Sequence, residues 1–468
     1  MAKDTRQAAM IEQVRKRAVA QGNSRAKRLV VAQVAALAIL AIGCVYFLLP
    51  HRVKRTPPQN PSVAVPTTIN VILDTSASMQ GYLSGRTELK DTVAGLVAQL
   101  DKMRNANPQL KPISYQFAAD AGTLSNSGYD SHDLIQQLLN QKLMSGQASL
   151  LQEVLRSVVA ETNKNTVSIL VTDSIFSYSD AEVKADPEVN SRNIAVLASD
   201  ITLTFNKARS SGSSVSLLAG RSHFNGKYYT YRNVARPCCT ELRPYYIWLI
   251  GDAGCIRTLV DFVQKQGGPM FDHQLDFNQP TIDLPVTVLQ YTEKKGTWYR
   301  DQRDKTHIED VQPDSAKRDP GKNDPANNGL QFDVALDLST FPKELSTVDF
   351  LAKHLLVQSS DVQIKAKTIR PKAAFENSIS RQDAKRPPAY THILTISTDN
   401  SFPKHASISI LIENVLPDWY VQWSNDDDTG DDPHTSATTF GLKEMVDGVA
   451  RAYRKTDPIA KAEIQLDR

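Results

Sequence analysis

From residue 68 to residue 265 short apolar runs and segments of helical period take turns, and this alternation limits the possible folds more than any other property of the chain. Residues 69–73, 113–118, 167–172, 215–219, 228–231 and 245–250 read as strands. Residues 88–104, 132–142, 150–161, 194–208 and 255–265 read as helices. In the first of these Leu89, Val93, Leu96, Val97 and Leu100 share one face. Strands that alternate with helices call for a mainly parallel sheet covered on both faces, an α/β arrangement.

The second half has a different period. Short β-rich runs at 281–291, 330–338, 361–369, 390–397 and 407–413 replace the helices, and several alternate cleanly, as in Gln331-Phe-Asp-Val-Ala-Leu-Asp-Leu338. A β-sandwich-like domain over 275–425 follows. Residues 300–328 lack large apolar side chains almost entirely and read as a long mobile loop. A helix over 440–455, with Leu442, Met445, Val446, Val449 and Tyr453 on one face, is expected to pack on a domain, and a short polar tail ends the chain.

Upstream, residues 29–49 read LVVAQVAALAILAIGCVYFLL, without a charge and with Gln33 as the one strongly polar member. At 1.5 Å per residue such a helix spans about 30 Å, the thickness of a bilayer core. A buried core helix would need a polar face, which this run lacks. A cleaved signal peptide fits less well, because the basic leader is long and no small-x-small site follows. Residues 1–28 carry eight Lys/Arg against Asp4 and Glu12, and the 468-residue chain as a whole is only +3. Close to the helix, six Lys/Arg precede it and three follow (Arg52, Lys54 and Arg55). This bias places the 1–28 tail in the cytoplasm and residues 50–468 outside, which in a Gram-negative cell means an inner-membrane protein with a periplasmic bulk. Residues 50–67, with five prolines, form a tether. The weak global charge gives no reason to expect nucleic acid as a partner. Four cysteines are too few for a disulfide scaffold, although an oxidising compartment would permit Cys255 to pair with Cys238 or Cys239.

The first strand runs directly into Asp74-Thr-Ser-Ala-Ser78. One carboxylate and two hydroxyls on a single turn face the space beyond the strand's carboxyl end, where open α/β sheets bind ligands. Hard oxygen donors of this kind suit Mg²⁺, with Mn²⁺ or Ca²⁺ as alternatives.

These residues resemble the von Willebrand factor A domain, over about 68–270. The resemblance implies a doubly wound, Rossmann-like sheet with a metal-ion-dependent adhesion site at its top. The family's Asp-x-Ser-x-Ser is complete in Asp74, Ser76 and Ser78. Its later loop threonine corresponds to Ser149, with Ser145 competing for that place, and its strand-ending aspartate to Asp173. Ser174 stands where the family usually has glycine. The resemblance further implies a cation whose open position takes a carboxylate from a partner protein. The sequence contains no nucleophile elbow, phosphate loop or H-E-x-x-H motif, so the reading is a binding module and not an enzyme. A scaffold with a structural ion, or a metal-assisted hydrolase, are the alternatives. The acidic stretch 425–432 reads as a solvated loop, and Asp252 as a turn aspartate before a helix, although it ends a strand as Asp74 does. Trp419, Tyr420 and Trp423 read as sandwich core. The nine histidines show no metal-ligand spacing.

Overall fold

The computed structural model describes residues 12, 13 and 16, and residues 64–468 apart from 120–121, 141–142, 144–149, 239–241, 266, 269–270, 291, 293, 314–328, 375–388, 431–432 and 454–455. The apolar run 29–49 lies outside the described residues. Among the described residues no helix is long and apolar enough to cross a membrane. Val63–Arg468 forms one compact unit.

Its first sheet has seven strands in the order β3-β2-β1-β4-β8-β5-β9. They are β1 (Thr68–Asp74), β2 (Ser114–Ala119), β3 (Thr123–Asn126), β4 (Thr166–Thr172), β5 (Ser214–Ser222), β8 (Arg243–Gly251) and β9 (His273–Phe277). A separate hairpin, β6 (Gly226–Tyr229) and β7 (Ala235–Cys238), lies between β5 and β8 in sequence. The central strands β4 and β8 are buried along their whole length, in keeping with their largely apolar sequences.

The sheet is mixed, which corrects the expectation of a mainly parallel one. Only β1 pairs in parallel, with β2 and β4. The β2–β3, β4–β8, β8–β5 and β5–β9 pairs are antiparallel. The β6–β7 hairpin turns the chain at the edge where β5 ends, so β8 starts at that edge and inserts between β4 and β5. Apolar periodicity marks β8 as buried but carries no information about its direction.

Helices cover both faces. Alternate β1 residues divide between two cores: Ile69, Val71 and Leu73 pack with α1 (Glu88–Ala106), α2 (Ser131–Leu139) and α5 (Ala253–Lys265), and Ile72 with α3 (Leu151–Glu161), α4 (Ile194–Ser210) and α6 (Leu442–Ala452). Thr87 caps α1 by accepting the Lys90 N–H. The α6 helix buries Leu442, Met445, Val446 and Val449 completely. Each such side chain contributes about 1.5–3 kcal/mol on burial. Gly448 lets α6 cross α4 closely, since a Cβ there would stand 2.7 Å from the Ala198 carbonyl oxygen.

The remaining strands are β10 (Ile282–Asp283), β11 (Val286–Leu289), β12 (Thr297–Arg300), β13 (His307–Gln312), β14 (Gln331–Leu336), β15 (Leu355–Gln358), β16 (Ile364–Pro371), β17 (His392–Thr398), β18 (His405–Ile412), the short β19 (Ser424–Asn425) and β20 (Thr439–Phe440), and β21 (Ala460–Asp467). They form one sheet of β12-β13-β21-β18-β15, with β10 on β21, and another of β11-β14-β17-β16. Trp298, Ile308, Phe332, Val334, Leu394, Ile396, Ile408 and Ile464 meet in one shared core, which makes the pair a sandwich.

Three sequence expectations change here. Part of the 300–328 loop is ordered as β13, which pairs antiparallel with β12; residues 314–328 lie outside the described residues. The short polar tail contains β21, paired along its full length with β18. Trp419 and Trp423 pack on the α3/α4/α6 side of the first sheet and not in the sandwich core. The chain thus leaves the sandwich after β18, adds α6 to the first sheet's cover, and returns as β21.

Candidate functional site

The parallel β1–β4 pair sets the site. Leu73 lies opposite Val171, so Asp74 and Asp173 emerge at the same sheet edge. Asp74 Oδ1 accepts the Ser76 N–H at 2.9 Å, and Oδ2 accepts the Thr172 hydroxyl at 2.8 Å. Ser76 Oγ lies 3.0 Å from Ser78 Oγ. The Ser78 hydroxyl also lies close to Asp173, where it favours the ionised carboxyl. One Asp173 oxygen, Oδ1, accepts the Ile175 N–H at 3.2 Å. The other, Oδ2, is buried and has no hydrogen-bond partner among the described residues.

The two aspartates are only 2% and 3% exposed. Burial raises the Asp173 carboxyl to about 6, and the negative charge of Asp74 pushes in the same direction. A buried carboxylate pair with an orphaned oxygen is electrostatically incomplete. The donor set, all oxygen, fits a hard divalent cation: Asp74, Ser76, Ser78 and Asp173 are gathered, whereas Ser149 and Ser145 lie outside the described residues.

Ser174 adopts φ 54°, the left-handed region that favours glycine. A non-glycine residue there costs on the order of 1–3 kcal/mol. Its hydroxyl accepts the Trp248 indole N–H at 3.0 Å, and its N–H reaches Thr172 Oγ1 at 3.1 Å. Ser174 thus holds a conformation that favours glycine while its side chain is used to bond Trp248.

Two contributors escaped the sequence reading. Thr172 tethers Asp74, yet in sequence it is one β-branched residue in a buried strand. Arg243 begins β8 at this same edge and is 1% exposed. Its Nη1–H donates to the Ser436 carbonyl at 2.9 Å, and its guanidinium stacks 4.0 Å above the Tyr228 ring. It also hydrogen-bonds the Tyr82 hydroxyl and lies within electrostatic reach of Asp173. Only the reversed direction of β8 brings this cation to the site.

The same reversal moves Asp252 to the opposite edge. There its Oδ1 accepts the Gly254 and Cys255 N–H groups at 2.9 and 3.1 Å and caps α5, the place of a turn aspartate before a helix. Cys255 is a buried free thiol, raised to about 11 by burial and Asp252. The suggested bridge from Cys255 is therefore not formed: the length of β8, at about 3.3 Å per residue, separates α5 from the β6–β7 hairpin.

The acidic stretch is not simply solvated. Asp428 is 0% exposed, accepts the Tyr231 N–H at 2.8 Å and is hydrogen-bonded by the Tyr228 hydroxyl. Burial raises its pKa, while Arg243 offsets part of that cost. The start of the β6–β7 hairpin also packs on the short helix Gln80–Leu83 that follows Ser78. Asn225 N–H donates to Gly81 O at 2.8 Å, and a Cβ on Gly226 would stand 2.7 Å from Gly81 Cα.

No family model, curated protein or solved structure matches the chain.

Proposed function

We propose that the chain is a membrane-anchored, metal-dependent protein-binding module of the bacterial envelope. Residues 29–49 span the inner membrane once, the N-terminus is cytoplasmic, and the folded unit lies outside. Asp74, Ser76, Ser78 and Asp173, with Ser149 as the expected fifth donor, hold Mg²⁺ and leave a coordination position for an acidic residue of a partner protein. The observation that carries this reading is the orphaned Asp173 Oδ2 inside a buried carboxylate pair. When bound, the ion supplies positive charge that neutralises the pair and attracts a further carboxylate. The protein's own residues position the donors: Thr172 fixes Asp74, Ser76 and Ser78 turn their hydroxyls to one point, and Ser78 reaches Asp173.

A specific observation also favours the alternative of a structural ion. The aspartates are almost fully covered, and the start of the β6–β7 hairpin packs tightly on the helix that follows Ser78. Pull-downs from solubilised membranes with wild type, Asp74→Ala and EDTA-treated protein test the binding reading. Capture of the same partners in all three arms refutes it. Loss of thermal stability without loss of capture identifies the structural ion instead.

A further inference from the structure

We propose that Asp301, His307 and Glu309 form a second metal site, on the rim of the sandwich, for a borderline transition-metal dication such as Zn²⁺. The β12–β13 hairpin builds it. His307 and Glu309 are two apart on β13 and so share a face, and Asp301 follows Arg300, which pairs with Ile308 beside His307. One ligand atom from each residue lies within 4.8 Å of the other two. His307 Nδ1 is 3.8 Å from Asp301 Oδ2 and 4.0 Å from Glu309 Oε1. A tetrahedral zinc with bonds of about 2.0–2.1 Å needs donors roughly 3.3 Å apart, so small side-chain movements complete the set.

Two further observations point to a cation between these groups. His307 Nε2 lies 3.1 Å from Asp467 Oδ2. With Nε2–H donated to that carboxylate, Nδ1 turns its lone pair toward two further carboxylates, so the cluster draws in positive charge at that point, as a proton on Nδ1 or as a metal ion. A carboxylate on the far nitrogen is also the arrangement that orients metal-bound histidines. Asp301 is prepared in a similar way: its Oδ1 accepts the Arg303 N–H at 2.6 Å, while Oδ2 is the oxygen nearest His307. The mixed imidazole–carboxylate set suits Zn²⁺ better than Mg²⁺. Asp467 belongs to β21, so a bound ion would tie the hairpin to the last strand.

Equilibrium dialysis of the detergent-solubilised full chain against Zn²⁺, with excess Mg²⁺ present, tests the site, with Co²⁺ absorption as a second readout. Wild type and Asp74→Asn should each bind one Zn²⁺ that His307→Gln and Glu309→Gln lose. Asp467→Asn should bind it about 10–100-fold more weakly, the usual effect of removing a carboxylate behind a ligating histidine. No Zn²⁺ bound by wild type, or unchanged affinity and stoichiometry in His307→Gln, overturns the proposal. Should His307→Gln fail to fold, as circular dichroism would reveal, Glu309→Gln decides, because its side chain is 49% exposed and carries little of the packing.

Discussion

Replacing Arg243 by methionine isolates the contribution of the one charged residue that β8 brings to the site. Methionine keeps most of the apolar stem, so the cavity left behind is small. What disappears is a desolvated guanidinium 4.0 Å above the Tyr228 ring, together with its hydrogen bonds to Ser436 and Tyr82. The stacking alone is worth about 2 kcal/mol in a desolvated setting. The carboxylate of Asp428, at 0% exposure, keeps its hydrogen bonds but loses the electrostatic support of Arg243. Hydrogen bonds to a charged group add about 1.5–3 kcal/mol to the stacking, so a total loss of about 3–5 kcal/mol is expected in urea denaturation at pH 7.5. Adding Asp428→Asn removes the charge left behind, so the double variant should lose less than the sum of the singles by about 1–3 kcal/mol. The pH dependence has a defined sign. Burial holds the Asp428 carboxyl above its ordinary value, so the native state binds a proton more readily than the unfolded chain. The stability linked to that proton is fully present below the unfolded pKa and is lost as pH rises through the raised one. Without Arg243 that pKa rises further, and Asp173, which also feels Arg243, moves in the same direction. The deficit of Arg243→Met should therefore shrink at pH 5. Additive single and double variants, with a deficit independent of pH, would refute the idea that Arg243 neutralises this edge.

Further outcomes follow from the same coordinates. Gly226→Ala should destabilise the unit by about 1–3 kcal/mol, seen as a lowered Tm, because the new Cβ meets Gly81 backbone atoms that cannot rotate away. Deleting residues 460–468 should open the sandwich, since β21 pairs with β18, β13 and β10 and buries Ile464 and Leu466; rapid proteolysis between 281 and 412 is the readout. A phosphatase fused to the C-terminus should be active only outside the cytoplasm, and activity confined to the cytoplasm would reverse the proposed topology.

Much of the fold was legible because burial leaves a periodic trace. The runs that became β1, β4 and β8 are mostly apolar, and the spacing of Leu442, Met445, Val446 and Val449 marked α6 as one-sided. At the site, Asp74, Ser76 and Ser78 were legible because they are close in sequence. Asp173 entered through the resemblance, and the structure brings it to the same edge through the parallel register of β1 and β4. Thr172 and Arg243 were not legible, because a hydroxyl or a charge at a strand end acquires its meaning only from the neighbouring strand. The β12–β13 pair was hidden for a related reason. Asp301, His307 and Glu309 look like parts of a polar loop until the hairpin sets them on one face. The strand β21 was missed because its alternation, with Ala460, Ile464 and Leu466 buried, is weak without the β18 partner that makes it informative.

By itself, then, the sequence determined which segments are buried, that strands and helices alternate before a β-rich half, and that a hard-oxygen cluster stands at the end of β1. These are local matters, settled by side-chain period and chain geometry. Tertiary structure alone decided strand direction and strand neighbours. It reversed β8, which sent Asp252 to the far edge and drew Arg243 to the near one. It also buried Asp428 and carried the chain back through α6 and β21. The physical reason is that hydrophobic burial is non-directional: it records that a segment is inside, whereas hydrogen-bonded pairing across distant segments fixes which way it runs and whose charges it meets.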